Sequence, residues 1–102
     1  MNCLKREDLT MPQVFKIGSY FVYFWANEGK PTEPVHVHAS KGKPTANATK
    51  FWITQSGKCL MANNNSGYDN RTINYLVKAI EANSDLVTKS WIAFFKEISY
   101  YC

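Results

Sequence analysis

VFKIGSYFVYFW, residues 14–25, reads as two β-rich segments, Val14 to Ile17 and Tyr20 to Trp25, separated by Gly18-Ser19. Glycine at the first central position suits a type II′ turn, the two-residue loop whose twist matches that of the antiparallel strands it joins. Such a loop sets Ile17 opposite Tyr20 and Phe15 opposite Val22. Phe15, Ile17, Tyr20, Val22 and Phe24 then share one face, and Lys16, Phe21, Tyr23 and Trp25 the other. Both faces are aromatic, so the second is expected to be covered or to serve as a contact surface for a partner.

Outward from this hairpin the pattern continues as sheet. ANEGKPTEP, residues 26–34, has the Asn, Gly and Pro content of a loop, and VHVHAS, residues 35–40, makes a third strand. A lysine-rich turn carrying Lys41 and Lys43 leads to a fourth strand, Ala48 to Thr54, in which Phe51 and Ile53 alternate with Lys50 and Trp52. Ser56-Gly57 turns the chain into a short fifth strand, KCLMA, and the polar tract NNNSGYDN is a loop. Then the period changes. Ile73, Leu76, Val77 and Ile80 have helical spacing with Asp69 or Asn70 as N-cap, and Ser84 opens a second helix with Val87, Trp91, Phe94, Phe95 and Ile98 as its apolar stripe. Strands first and helices last predict an α+β fold: a small curved antiparallel sheet of four to five strands with two C-terminal helices packed on one face.

Composition narrows the classes. The chain has 102 residues, 45% of them hydrophobic, enough for one core. The polar first ten residues are expected to be a flexible extension, with a single domain over 11–102. No apolar run approaches the roughly 20 residues of a membrane helix, so a cytoplasmic location without membrane contact is expected. Cys3, Cys59 and Cys102 are too few and too scattered for a disulfide framework or a zinc knuckle. Cys59 has no neighbouring base in sequence, which argues against a nucleophile. A formal charge of +4 is compatible with a polyanionic or acidic partner.

The chemistry concentrates in two residues. His36 and His38 are the chain's only histidines, and in a strand they point the same way while Val35, Val37 and Ala39 point the other. Three readings stay open. In the first, the pair is general acid and base for RNA cleavage, with Lys50 steadying the phosphorane, Lys41 or Lys43 contacting phosphates, and Tyr23 or Trp25 stacking a base. That reading needs no cofactor and makes the chain a metal-independent ribonuclease. In the second, the pair ligates a metal with two further ligands, Glu28 and Glu33 being the nearest carboxylates in sequence. In the third, the rings hydrogen-bond loop carbonyls and serve shape or a partner interface.

Met11-Pro12, Gly18, Asn27-Glu28 and Pro34-Val35-His36-Val37-His38 stand where members of a small bacterial family have the same or similar residues. The stretch from Met11 to about Ile98 resembles the domain-of-unknown-function 4160 family, whose helical end also carries a Trp followed by aromatic residues. Val35, where members usually have proline, and Lys30 to Glu33, which look like extra loop residues, depart from its pattern. The resemblance implies the toxin-like half of a toxin and antitoxin module, paired with a DUF2442-like protein. It supplies no mechanism. The expectation is therefore a cytoplasmic toxin-like protein acting on RNA, the alternative being a non-enzymatic interaction module that docks its cognate partner.

Overall fold

A computed structural model describes residues 13–28 and 33–102. Five strands, β1 (Gln13–Ile17), β2 (Tyr20–Tyr23), β3 (His36–Lys41), β4 (Thr49–Ile53) and β5 (Cys59–Asn63), form one antiparallel sheet in chain order. Two helices follow, α1 (Asn70–Ala82) and α2 (Ser84–Phe95), so the expected α+β architecture is the one adopted. The expected boundary between a flexible extension and a domain starting at Met11 lies outside the described residues.

The hairpin register follows from its short turn. Ile17 faces Tyr20 and Phe15 faces Val22, and Gly18 has φ +54°, a region that side chains with a Cβ seldom enter. β2 is shorter than the run of aromatics suggests: it ends at Tyr23, and the chain leaves the sheet through Phe24 and Trp25 into a turn at 26–28.

One sheet face carries Val22, Val37, Ala39, Phe51 and Ile53 against Leu76 and Ile80 of α1 and Val87 and Trp91 of α2, all buried. α1 lies along β5, and α2 reaches β1. Asp69 caps α1, its carboxylate accepting the Thr72 N–H at 2.9 Å. The cap of α2 is Asn83 and not Ser84, because the helix begins one residue earlier; the Asn83 side chain is turned back to donate to the Ala79 carbonyl of α1. Phe94 is a second correction. It is 45% exposed, whereas Val87 and Trp91 are buried. Helix α2 ends at Phe95, with Lys96 left-handed at φ 70°, so Ile98 packs on the core from beyond the helix.

The other sheet face is covered by the protein's own loops, the first of the two alternatives expected for it. The Tyr23 hydroxyl donates to the Thr45 carbonyl at 2.8 Å and accepts the Thr45 N–H, and the Ser40 hydroxyl donates to the Lys43 carbonyl. The turn at 43–48 is thereby folded over Tyr23, which is fully buried, while Phe21 and Trp25 are half-buried. The C-terminal residues close the far side. The Val35 N–H donates to the Ser99 carbonyl at 2.8 Å, and Tyr101 stacks on Trp52 with ring centroids 4.8 Å apart. No helix among the described residues is long and apolar enough to cross a membrane.

Candidate functional site

The turn after β2 brings a carboxylate over the histidines. Glu28 donates its backbone N–H to the Trp25 carbonyl, and its side chain hooks back to accept the Trp25 N–H at 2.7 Å. Because Tyr23 of β2 is registered opposite His38 of β3, this turn stands directly above the imidazoles. Glu28 Oε1 is 2.9 Å from His36 Nε2, and Oε2 is 2.7 Å from His38 Nε2. One carboxylate bridges both rings.

The opposite edge of each ring meets the main chain. His36 Nδ1 is 2.9 Å from the Pro34 carbonyl and His38 Nδ1 is 3.3 Å from the Ala48 carbonyl. A carbonyl only accepts, so each Nδ1 donates a proton and Nε2 is the nitrogen turned toward Glu28. The rings are also walled in. His38 stacks on Tyr23 at 5.6 Å, and His36 meets Trp52 and Trp91 edge-on at 5.8 and 5.2 Å.

The pairing at His36 is incomplete. Although Glu28 Oε1 is close, it lies off the ring's N–H direction, and the buried His36 Nε2 has no aligned hydrogen bond among the described residues. Glu33 Oε1, 3.6 Å from His36 Nε2, is likewise buried without a hydrogen-bond partner there. The other Glu33 oxygen is 3.6 Å from Lys50 Nζ.

Burial resists ionisation of Glu28. The close approach of the His36 ring and its charge, the hydrogen bond with His38 and the Trp25 N–H outweigh it and hold the carboxyl well below the usual glutamate range. A depressed folded-state pKa adds stability above the unfolded-state value, about 4.3, and that stability is lost as the pH falls below it. Glu28→Gln is therefore expected to cost about 2 kcal/mol at pH 7, for the lost charged hydrogen bonds, and progressively less as the pH falls from 5 to 3. Urea unfolding of both proteins across that range measures it; a gap that stays constant with pH contradicts the assignment.

The sequence-predicted residues are partly assembled here. His36 and His38 converge, and Lys50, registered opposite His38, lies beside Glu33 with its Nζ 4.3 Å from the centre of the Trp52 ring. Lys41 and Lys43 are exposed at the end of β3, where the Lys41 N–H donates to the Tyr68 hydroxyl. Tyr23 presents no free ring face, since it is buried between the 43–48 turn and His38; burial also raises its hydroxyl pKa. Trp25 packs edge-on against Tyr23, its indole N–H buried without a partner among the described residues. The aromatic pair beside the histidines is instead Trp52 and Tyr101. Burial, with Glu81 nearby, pushes the Cys59 thiol up to about 12, so it is no nucleophile at neutral pH.

Glu28 is the central residue that the reading of acid, base and lysine omitted. Its signals in the sequence were that it is one of the two carboxylates nearest the pair and that Asn27-Glu28 belongs to the block carrying the family resemblance. Residues 19–92 match the family described as Domain of unknown function (DUF4160). No curated protein and no solved structure matches the chain.

Proposed function

The chain belongs to the Domain of unknown function (DUF4160) family, and on that premise we propose that it is the toxin-like half of a bacterial two-protein module, working in the cytoplasm beside a DUF2442-like partner and acting on RNA. The observation that carries this reading is the convergence of Glu28, His36 and His38 on one sheet face, with the Lys50 ammonium next to them.

Strand cleavage of RNA is the reaction such a cluster suits. The 2′-oxygen bonds to the adjacent phosphorus and the bond to the 5′-oxygen breaks, leaving a 2′,3′-cyclic phosphate and a 5′-hydroxyl. One proton leaves the 2′-hydroxyl and another reaches the departing 5′-oxygen. The imidazoles of the cluster supply groups for both transfers, while Lys50 faces the negative charge that builds on phosphorus. Lys41 and Lys43 contact flanking phosphates, and exposed Tyr101 on Trp52 offers the stacking surface that Tyr23 does not.

Lys50→Ala tests the assignment. Losing the ammonium should slow cleavage of single-stranded RNA by roughly 10²-fold at unchanged folding, as for one oxyanion donor. A wild-type rate in that variant removes Lys50 from the site.

A second reading, the non-enzymatic interaction module, is favoured by the edge strand β5, where Leu60 and Met61 are 42% and 47% exposed. Co-expression with the adjacent gene product followed by size exclusion separates the two readings. Tight co-elution without any RNA cleavage by the free chain supports the module alone.

A further inference from the structure

We propose that Glu28, His36 and His38, completed by Glu33, form a site for one divalent transition metal ion of the zinc class. The inference deepens the reading of the cluster as a reaction centre, but metal binding stands on its own geometry.

Three ligand atoms, one from each of Glu28, His36 and His38, lie within 4.8 Å of one another. Around a tetrahedral ion with bonds of about 2.0–2.1 Å, neighbouring ligand atoms sit roughly 3.3 Å apart. The imidazole–carboxylate distances, 2.9 Å to one Glu28 oxygen and 2.7 Å to the other, open by about half an ångström around an ion, while any wider separation in the group, which stays within 4.8 Å, closes. The ring orientations are already correct. A metal-bound imidazole gives its lone pair to the ion from one nitrogen while the other N–H donates to a carbonyl or carboxylate, and Nδ1 of each ring faces a backbone carbonyl.

The unpaired atoms point the same way. His36 is fully buried, yet among the described residues its Nε2 has no aligned hydrogen bond, only the Glu28 Oε1 contact at 2.9 Å, and 3.6 Å away Glu33 Oε1 has no hydrogen-bond partner there. Buried polar atoms without hydrogen bonds are uncommon, and two facing each other across a gap beside the Glu28 side chain mark where a cation would complete the coordination. Two imidazoles and two carboxylates suit a borderline ion such as Zn²⁺ better than Mg²⁺ or Ca²⁺, which prefer oxygen alone. Glu33, whose side chain is 39% exposed, stands on the solvent side, where a water could share the ion.

The test needs no RNA. The full chain, with Cys3 and Cys102 changed to Ser so that these thiols do not compete, is stripped with a chelator and titrated with Zn²⁺ alone by calorimetry. One ion per chain is expected, with a thermal midpoint raised by excess Zn²⁺, and with affinity reduced at least roughly 100-fold in Glu28→Gln and in His38→Gln. Glu33→Gln, at a more exposed position, should weaken binding less while keeping the fold by circular dichroism. Co²⁺ in place of Zn²⁺ should give the visible absorption of a tetrahedral site. No binding by the folded wild type, or equal affinity in Glu28→Gln, overturns the proposal. Zn²⁺ binding as described without RNA cleavage leaves the metal site standing and removes the reading of RNA as its substrate.

Discussion

A His36→Gln/His38→Gln double variant is expected to lose RNA cleavage and toxicity by at least about 10²-fold while remaining folded. Glutamine reaches about as far as the imidazole Nε2, so its amide can still donate to Glu28. What it loses is the second donor, at Nδ1, which now bonds the Pro34 and Ala48 carbonyls. That loss costs about 1 kcal/mol per site. An amide neither titrates near neutral pH nor competes with imidazole as a ligand, so either chemical role of the pair disappears. Alanine is the poorer probe here, because it would open a cavity beside Trp91 and leave the Glu28 carboxylate without its partners. The variant's rate on single-stranded RNA, with circular dichroism as the folding control, decides the matter. A wild-type rate in the folded double variant sinks the assignment of this cluster as the reaction centre.

The second large effect is on stability. Trp91→Ala should destabilise the protein by about 4 kcal/mol, the cost of removing a large buried aromatic side chain. Trp91 is 1% exposed and lies 5.0 Å from the Phe24 ring and 4.5 Å from Phe95, centroid to centroid. It joins the helix layer to the point where β2 leaves the sheet. Since total stabilities are about 5–15 kcal/mol, much of the fold's margin goes with it. Its ring also meets His36, so the variant should lose activity beyond the fraction unfolded. Urea midpoints for Trp91→Ala and the milder Trp91→Phe measure this. A loss under about 1 kcal/mol for Trp91→Ala would mean that the core closes without it.

The architecture was largely legible along the chain because its signals are local. Gly18-Ser19 leaves room for only a two-residue turn, which sets Phe15 against Val22, and the alternation of Lys50, Phe51, Trp52 and Ile53 assigns each to a face. The change from a period of two to the spacing of Ile73, Leu76, Val77 and Ile80 announces the helices. Capping was less legible at Ser84, where Asn83 and Ser84 compete and the winner depends on how Asn83 meets the preceding helix.

The site divides along the same line. Alternation alone puts His36 and His38 on one face, and the sequence pattern determines that this face is too aromatic to stand fully in water. What covers it is a matter of tertiary structure. The 43–48 turn reaches Tyr23 across 22 positions of sequence, and Tyr101 reaches Trp52 from the far end of the chain. No periodicity encodes such contacts. Glu28 is the sharpest case: residues 8 and 10 positions ahead of two histidines have no prescribed place in space. Only the end of β2 at Tyr23 and the hook of Glu28 onto the Trp25 N–H aim the carboxylate at both Nε2 atoms. Spacing within a strand determines the pair, because backbone geometry repeats every two residues; the carboxylate that bridges it is decided by a loop, whose path depends on what it packs against.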